Sequence, residues 1–190
     1  MLKIGILALQ GDFAKHAGML ASLEVETAQV KLPAHLKGLD GLIIPGGEST
    51  TLTIMMRDYG LFDPIVDFAK NRPVMGTCAG SIMIASEVDD RRVRPLRLID
   101  MAVLRNAYGR QVESFITHLE APCLNGGGPY RAIFIRAPQI ERLGPDTQIL
   151  MAHAGKPVMV CQNNILALTF HPELTDDPRI HHYFLEKFVA

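Results

Sequence analysis

Tryptophan is absent from this 190-residue chain, aromatic residues make up only 6% of it, and there are only three cysteines. Three thiols, Cys78, Cys123 and Cys161, cannot all pair within one chain, and their spacings match no zinc template. A disulfide-built scaffold is therefore excluded, and a reduced, intracellular setting is expected. Neither charge dominates: 19 basic and 20 acidic residues leave a formal charge of −1. That balance lacks the basic footprint of a nucleic-acid binder, and no charge run marks an acidic or basic tail. Long apolar runs are missing too. The opening stretch MLKIGILALQGD is short for a signal peptide and too short to span a bilayer, so it reads as a buried first strand. No nucleic acid, no membrane and a cytoplasmic location are expected. Without an internal repeat, low-complexity tract or long linker, residues 1–190 are expected to form a single domain with a continuous core.

What is present is a repeated alternation of apolar run, glycine-rich turn and helical pattern. Lys3 to Leu9 reads as a central strand, and Gly11-Asp12 then opens a helix with Phe13, His16, Ala17 and Leu20 on one face. Leu42-Ile43-Ile44 ends at Pro45-Gly46-Gly47, and Glu48-Ser49-Thr50-Thr51 supplies capping chemistry for a helix through Leu52, Met55 and Met56. Pro73-Val74-Met75 is the third strand, with Ile82, Met83 and Ala85 in the helix behind it. This half predicts an α/β fold with a mostly parallel sheet. Five extended stretches follow: Met101–Leu104, Ala132–Ile135, Gln148–Ala152, Val158–Cys161 and Ile165–Phe170, the turns between them pointing to partly antiparallel pairing. Asp177-Pro178 starts a final helix with Ile180, Tyr183, Phe184 and Phe188 as its apolar stripe.

Three strand ends carry chemistry. Gly76-Thr77-Cys78-Ala79-Gly80 fits the cysteine form of a nucleophile elbow, though the pentapeptide alone fits a small buried thiol equally well. Cysteine attacks as its thiolate, and a histidine with an orienting acid must move the proton. His171-Pro172-Glu173 follows the strand ending at Phe170. If extension continues, His171 and Glu173 project on the same side. The other histidines lack a carboxylate in such a setting, and His181 and His182, adjacent on a helix, are expected to be exposed. Gly46-Gly47 allows close backbone approach to a substrate, and with Ala79 it could supply oxyanion donors.

Together, Gly-Thr-Cys-Ala-Gly, Pro-Gly-Gly-Glu-Ser-Thr and Phe-His-Pro-Glu-Leu-Thr resemble the class I (triad) glutamine amidotransferases. Leu7–Asp12, Arg105–Gln111 and Phe134–Pro138 are similar to the glutaminase subunits of pyridoxal 5′-phosphate synthases, so the resemblance covers nearly the whole chain. It implies a three-layer, flavodoxin-like α/β fold that hydrolyses L-glutamine to L-glutamate and ammonia. Cys78 would be the nucleophile, with His171 and Glu173 as relay partners. Gly46, Gly47, Glu48, Arg105, Ile135 and Arg136 would line the glutamine site, and Gly47 and Ala79 the oxyanion hole. Gln10, Gly11 and Asp12 would lie at the contact with a separate synthase subunit, with Gln10 ordering the oxyanion loop. No metal or other cofactor is required. The alternatives are a glutaminase serving histidine or purine synthesis, against which the Gln10-Gly11-Asp12 and Arg105–Gln111 blocks argue, and a non-catalytic regulatory module of the same fold. Ser81–Ile84 and the strongly charged segment 86–97 depart from the family pattern, which touches the surface loop rather than the chemistry.

Overall fold

A computed structural model describes residues 2–105 and 114–189; most of the Arg105–Gln111 block, from Asn106 on, lies outside the described residues. In chain order, β1 (Lys3–Leu7), α1 (Phe13–Ser22), β2 (Glu26–Val30) and β3 (Gly41–Ile44) are followed by α2 (Ser49–Asp58), α3 (Phe62–Ala69), β4 (Val74–Thr77) and α4 (Ala79–Ile84). Next come β5 (Ala85–Val88), β6 (Ile99–Leu104), β7 (Ser114–Leu119), β8 (Tyr130–Ile135) and β9 (Gln139–Leu143). β10 (Gln148–His153), β11 (Lys156–Gln162), β12 (Ile165–Leu168) and α5 (Arg179–Phe184) complete the order.

Among the described residues, seven strands build the central sheet in the order β10-β11-β12-β4-β3-β1-β2. From β12 to β2 every pairing is parallel, and β10 and β11 extend the sheet antiparallel. The parallel part follows the flavodoxin-like order, with β12 as its fifth strand. The strand period of two assigns successive residues to opposite faces. Ile43, Met75, Leu166 and Leu168 face α1 and α5 through Leu20, Ile180 and Phe184. Leu42, Ile44, Val74 and Ala167 face α2, α3 and α4 through Leu52, Met56, Ile65 and Met83. The result is the expected three-layer arrangement. β3, β4 and β12 are buried throughout, which is why they read as unbroken apolar runs.

β2 escapes such a reading because it is an edge strand of sequence ETAQV, buried only at Val30. The small sheet β5-β6-β9 joins the core on the α2–α4 side, and the β7–β8 hairpin lies on the other. Tyr130 and Phe134 of β8 flank Phe170, with ring centroids 5.9 and 5.6 Å away. Phe170 is fully buried, so truncating it to alanine would cost about 3–5 kcal/mol. Its burial also anchors the backbone immediately before His171. The last helix begins at Arg179, two residues after Asp177, whose carboxylate accepts the Arg179 N–H at 3.1 Å.

Candidate active site

Four adjacent parallel strands, β12, β4, β3 and β1, end side by side. Their C-terminal ends deliver His171 and Glu173, Cys78, Gly46–Glu48, and Gln10–Gly11 to one place. Cys78 forms the turn between β4 and α4 with φ 48° and ψ −110°, a conformation that costs a non-glycine residue about 1–3 kcal/mol. Surrounding structure enforces it. The Cys78 N–H donates to Leu168 O of β12 at 2.8 Å, and the Ser81 N–H and hydroxyl both donate to Cys78 O, at 3.0 and 2.7 Å. The flanking glycines are steric requirements: a Cβ on Gly80 would lie 1.9 Å from Ile44 O, and one on Gly76 2.6 Å from Gly80 O. Cys78 Sγ lies 3.7 Å from the Ile135 carbonyl at the end of β8. Arg136, next to it, is exposed with φ 45°.

His171 does not continue β12 in extended form. Pro172–Leu174 is a 3-10 turn, so the expectation that His171 and Glu173 share a side through extension is corrected. Proline restricts its own φ, and the turn curls Glu173 back under the imidazole. His171 Nδ1 meets Glu173 Oε1 at 2.7 Å, and the His171 N–H donates to Ile133 O at 2.9 Å. Both side chains are buried. With Nδ1 committed to Glu173, Nε2 is left for Cys78. Burial opposes the imidazolium, but hydrogen bonds and charge from Cys78 and Glu173 outweigh it and raise the pKa to about 10. Burial pushes the thiols of Cys123 and Cys161 upward, which suits packing rather than attack.

The loop after β3 is pressed against both groups. A Cβ on Gly46 would lie 2.5 Å from His171 Cε1 and 3.4 Å from Cys78 Cβ. Gln10 holds the loop from the other side, its Oε1 accepting the Glu48 N–H at 2.8 Å. Ala79 opens α4, so its N–H has no partner within the helix. Glu48 caps α2 by accepting the Thr50 and Thr51 N–H groups at 3.2 and 2.7 Å. Burial raises its pKa, but these bonds and the two threonine hydroxyls lower it to about 2. Arg105 donates one arm of its fork to Glu48 and the other to Asp90, the latter at 2.7 Å. Expected to line the glutamine site, Arg105 thus ties the loop after β3 to the charged 86–97 segment. Gly11 and Asp12 are exposed beside the loop.

Two further corrections concern histidines. His181 is fully buried rather than exposed, and His16, expected to lack a carboxylate, has its Nε2 3.4 Å from Glu173 Oε2. The only sequence signal was the position of His16 on the apolar face of α1. Among the described residues, no group of three or more His, Cys, Asp or Glu side chains is placed to hold a metal ion.

A sequence model of the SNO glutamine amidotransferase family matches residues 6–190. The chain belongs to that family. Curated relatives of this SNO-family chain include the pyridoxal 5′-phosphate synthase subunit PdxT of Thermotoga neapolitana, 50% identical over 186 residues. That match covers 97% of this chain and 98% of the relative. The PdxT protein of Dictyoglomus turgidum is 47% identical and covers 98% of each chain. A solved structure described as a glutamine amidotransferase is 45% identical, with a TM-score of 0.90 over 96% of this chain and 97% of that one. PurLQS from Thermotoga maritima shares the fold alone: its TM-score is 0.73 at 14% identity, over 97% of this chain and 98% of that one.

Proposed function

We propose that this chain is the glutaminase subunit of a pyridoxal 5′-phosphate synthase, working as one cytoplasmic domain through Cys78, His171 and Glu173. The observation that carries the chemistry is the strained Cys78 elbow and the buried His171 packed against the same face of Gly46, with His171 Nδ1 meeting Glu173 Oε1 at 2.7 Å. The partner rests on the near full-length identity to relatives named as synthase subunits. The cytoplasmic assignment rests on the free thiols; in addition, among the described residues no helix is long and apolar enough to cross a membrane.

The Cys78 thiolate attacks the side-chain amide carbon of L-glutamine. The developing oxyanion takes hydrogen bonds from the N–H of Ala79 and of Gly47. His171, held as imidazolium, protonates the departing nitrogen, and ammonia leaves a γ-glutamyl thioester on Cys78. Neutral His171 then takes a proton from water as the water attacks the thioester. Collapse yields L-glutamate and restores the thiolate–imidazolium pair. Glu173 keeps the His171 ring oriented throughout. The site-lining roles of Gly46, Glu48, Arg105, Ile135 and Arg136 belong to the same reading. Ammonia passes to the separate synthase subunit, which joins it to a pentose phosphate and a triose phosphate. Exposed Gly11-Asp12 is where that subunit bears on the chain, and Gln10 transmits the contact to the Gly46-Gly47 peptide through its bond to Glu48.

The test is ammonia release from glutamine, with and without the synthase subunit, for wild type and Cys78→Ala. Wild type with synthase should release ammonia in step with pyridoxal 5′-phosphate formation, and folded Cys78→Ala should release none. Retained release by Cys78→Ala overturns the mechanism; wild-type release that the synthase subunit leaves unchanged overturns the coupling.

A further inference from the structure

Behind Glu173 lies a second buried polar line that the reaction above does not use. His16 of α1, Thr77 of β4 and His181 of α5 are all fully buried. His16 Nδ1 meets His181 Nε2 at 2.9 Å, and His16 Nε2 lies 3.2 Å from Thr77 Oγ1 and 3.4 Å from Glu173 Oε2. Glu173 spends Oε1 on His171, and among the described residues Oε2 makes no hydrogen bond of ordinary geometry. A buried carboxylate oxygen without a donor is costly, which makes the neighbouring His16 nitrogen significant.

We infer that His16, locked as its Nε2–H tautomer by His181, shares that hydrogen between Thr77 and the free oxygen of Glu173 and so positions the acid of the triad. The inference rests on the reading of Glu173 as the relay acid. Tautomer counting decides it. If His181 donates Nε2–H to His16 Nδ1, the His16 proton sits on Nε2 and points at Thr77 and Glu173. Glu173 Oε2 then has a donor, and what is left without a partner in this line is His181 Nδ1, an empty acceptor, and the hydrogen of the rotatable Thr77 hydroxyl. In the reverse arrangement His16 Nδ1–H donates to His181 Nε2. His181 must then carry its proton on Nδ1, a buried donor without an acceptor, and His16 Nε2 can only accept from the Thr77 hydroxyl, so Glu173 Oε2 has no donor and faces a nitrogen lone pair. Each arrangement leaves one donor hydrogen without an acceptor, but only the first gives the buried carboxylate oxygen of Glu173 a donor, so the first arrangement wins.

Both rings are neutral. Burial lowers the His181 pKa to about 4. Burial, then the neighbouring His181 and His171, holds His16 well below its ordinary value. The titratable groups facing His16 are His171 and Glu173 from the 3-10 turn and His181 from α5, with neutral Thr77 facing it from β4.

The direct experiment records long-range proton–nitrogen correlations on the wild-type chain with nitrogen-15-labelled histidine near neutral pH. His16→Gln and His181→Phe assign the signals. Neutral rings with the proton on Nε2 at both His16 and His181 are expected; a proton on His16 Nδ1, or a charged His16, overturns the inference. Kinetics with the synthase subunit then separate positioning from packing. Asparagine places its amide near the Nδ1 position and leaves Glu173 without a donor, whereas glutamine carries an N–H to the Nε2 position. His16→Asn should lower kcat by about tenfold with KM changed less than about twofold, and His16→Gln should recover most of that loss. The alkaline limb of the kcat profile should also move to lower pH in His16→Asn, because a loosened Glu173 supports the His171 imidazolium less. Equal losses in the two variants with an unmoved profile overturn the positioning role. The tautomer measurement does not depend on turnover, so failure of the glutaminase reading and failure of this inference give different results.

Discussion

Gly11→Ala perturbs the oxyanion loop without touching any group assigned to bond making. Gly11 has φ +90°, and an added Cβ would lie 1.7 Å from Gly46 O and 3.5 Å from Gly47 Cα. Ordinary contact begins near 3.4 Å, so the loop or the Gln10–Asp12 turn must retreat by about 1.7 Å. The positive φ adds about 1–3 kcal/mol of backbone strain. Because Gln10 holds the loop through Glu48 N–H, movement on either side pulls the Gly46-Gly47 peptide from its place beside Cys78 and His171. A misplacement of about 1 Å costs on the order of 100-fold, and a lost oxyanion donor about 100- to 1,000-fold. The expected outcome is a folded protein whose glutamine hydrolysis at saturating synthase subunit falls by about 100-fold or more. Denaturant unfolding gives the stability, and synthase binding is measured alongside, since Gly11 lies on the proposed contact. Gly18→Ala is the matched control. Gly18 is within α1, nothing lies within 4 Å of its added Cβ, and alanine there should stabilise by about 0.5–1 kcal/mol with activity intact. A folded Gly11→Ala enzyme hydrolysing glutamine within about threefold of wild type refutes the reasoning.

His171→Asn should reduce kcat nearly as far as Cys78→Ala, with Glu173→Gln costing roughly one to two orders of magnitude less, since the orienting acid is the least expensive member to remove. Wild-type turnover in His171→Asn would return His171 to a structural role. The buried histidines also give stability a maximum in pH. His181, lowered to about 4, takes up its proton in the unfolded state first as pH falls below about 6.5, so stability is lost between about 6.5 and 4 by on the order of 3 kcal/mol. His171, raised to about 10, contributes stability that is complete below about 6.5 and is lost as pH rises toward 10. Glu48, lowered to about 2, adds losses only below about pH 4.5. The denaturation midpoint should therefore peak near pH 6.5, and His181→Phe should flatten the acid side; a wild-type midpoint unchanged from pH 4 to 6.5 contradicts the neutral buried histidine.

The strands that position the site were legible because each is covered on both faces. β3, β4 and β12 therefore consist almost wholly of apolar or small residues, and nothing distant is needed to read them. The elbow was legible for an equally local reason. Gly76 and Gly80 are required by contacts made within a few residues of Cys78 and by the carbonyl ending β3. Edge strand β2 stayed hidden because its exposed positions carry polar side chains, and the eight-residue α3 because its start, Asp63-Pro64, reads as a turn.

What the sequence by itself determined is the alternation of elements and the residue types standing at their ends. Only the tertiary structure decided which of those side chains meet. The curl of Pro172–Leu174 beneath His171, the engagement of Arg105 by Glu48 and Asp90, and the burial of His16 and His181 against Glu173 each join segments distant in the chain or turn on local backbone geometry. The physical reason is that an apolar face needs only some apolar neighbour, whereas a buried polar atom needs a particular partner at a particular distance. Sheet order and helix placement supply that partner.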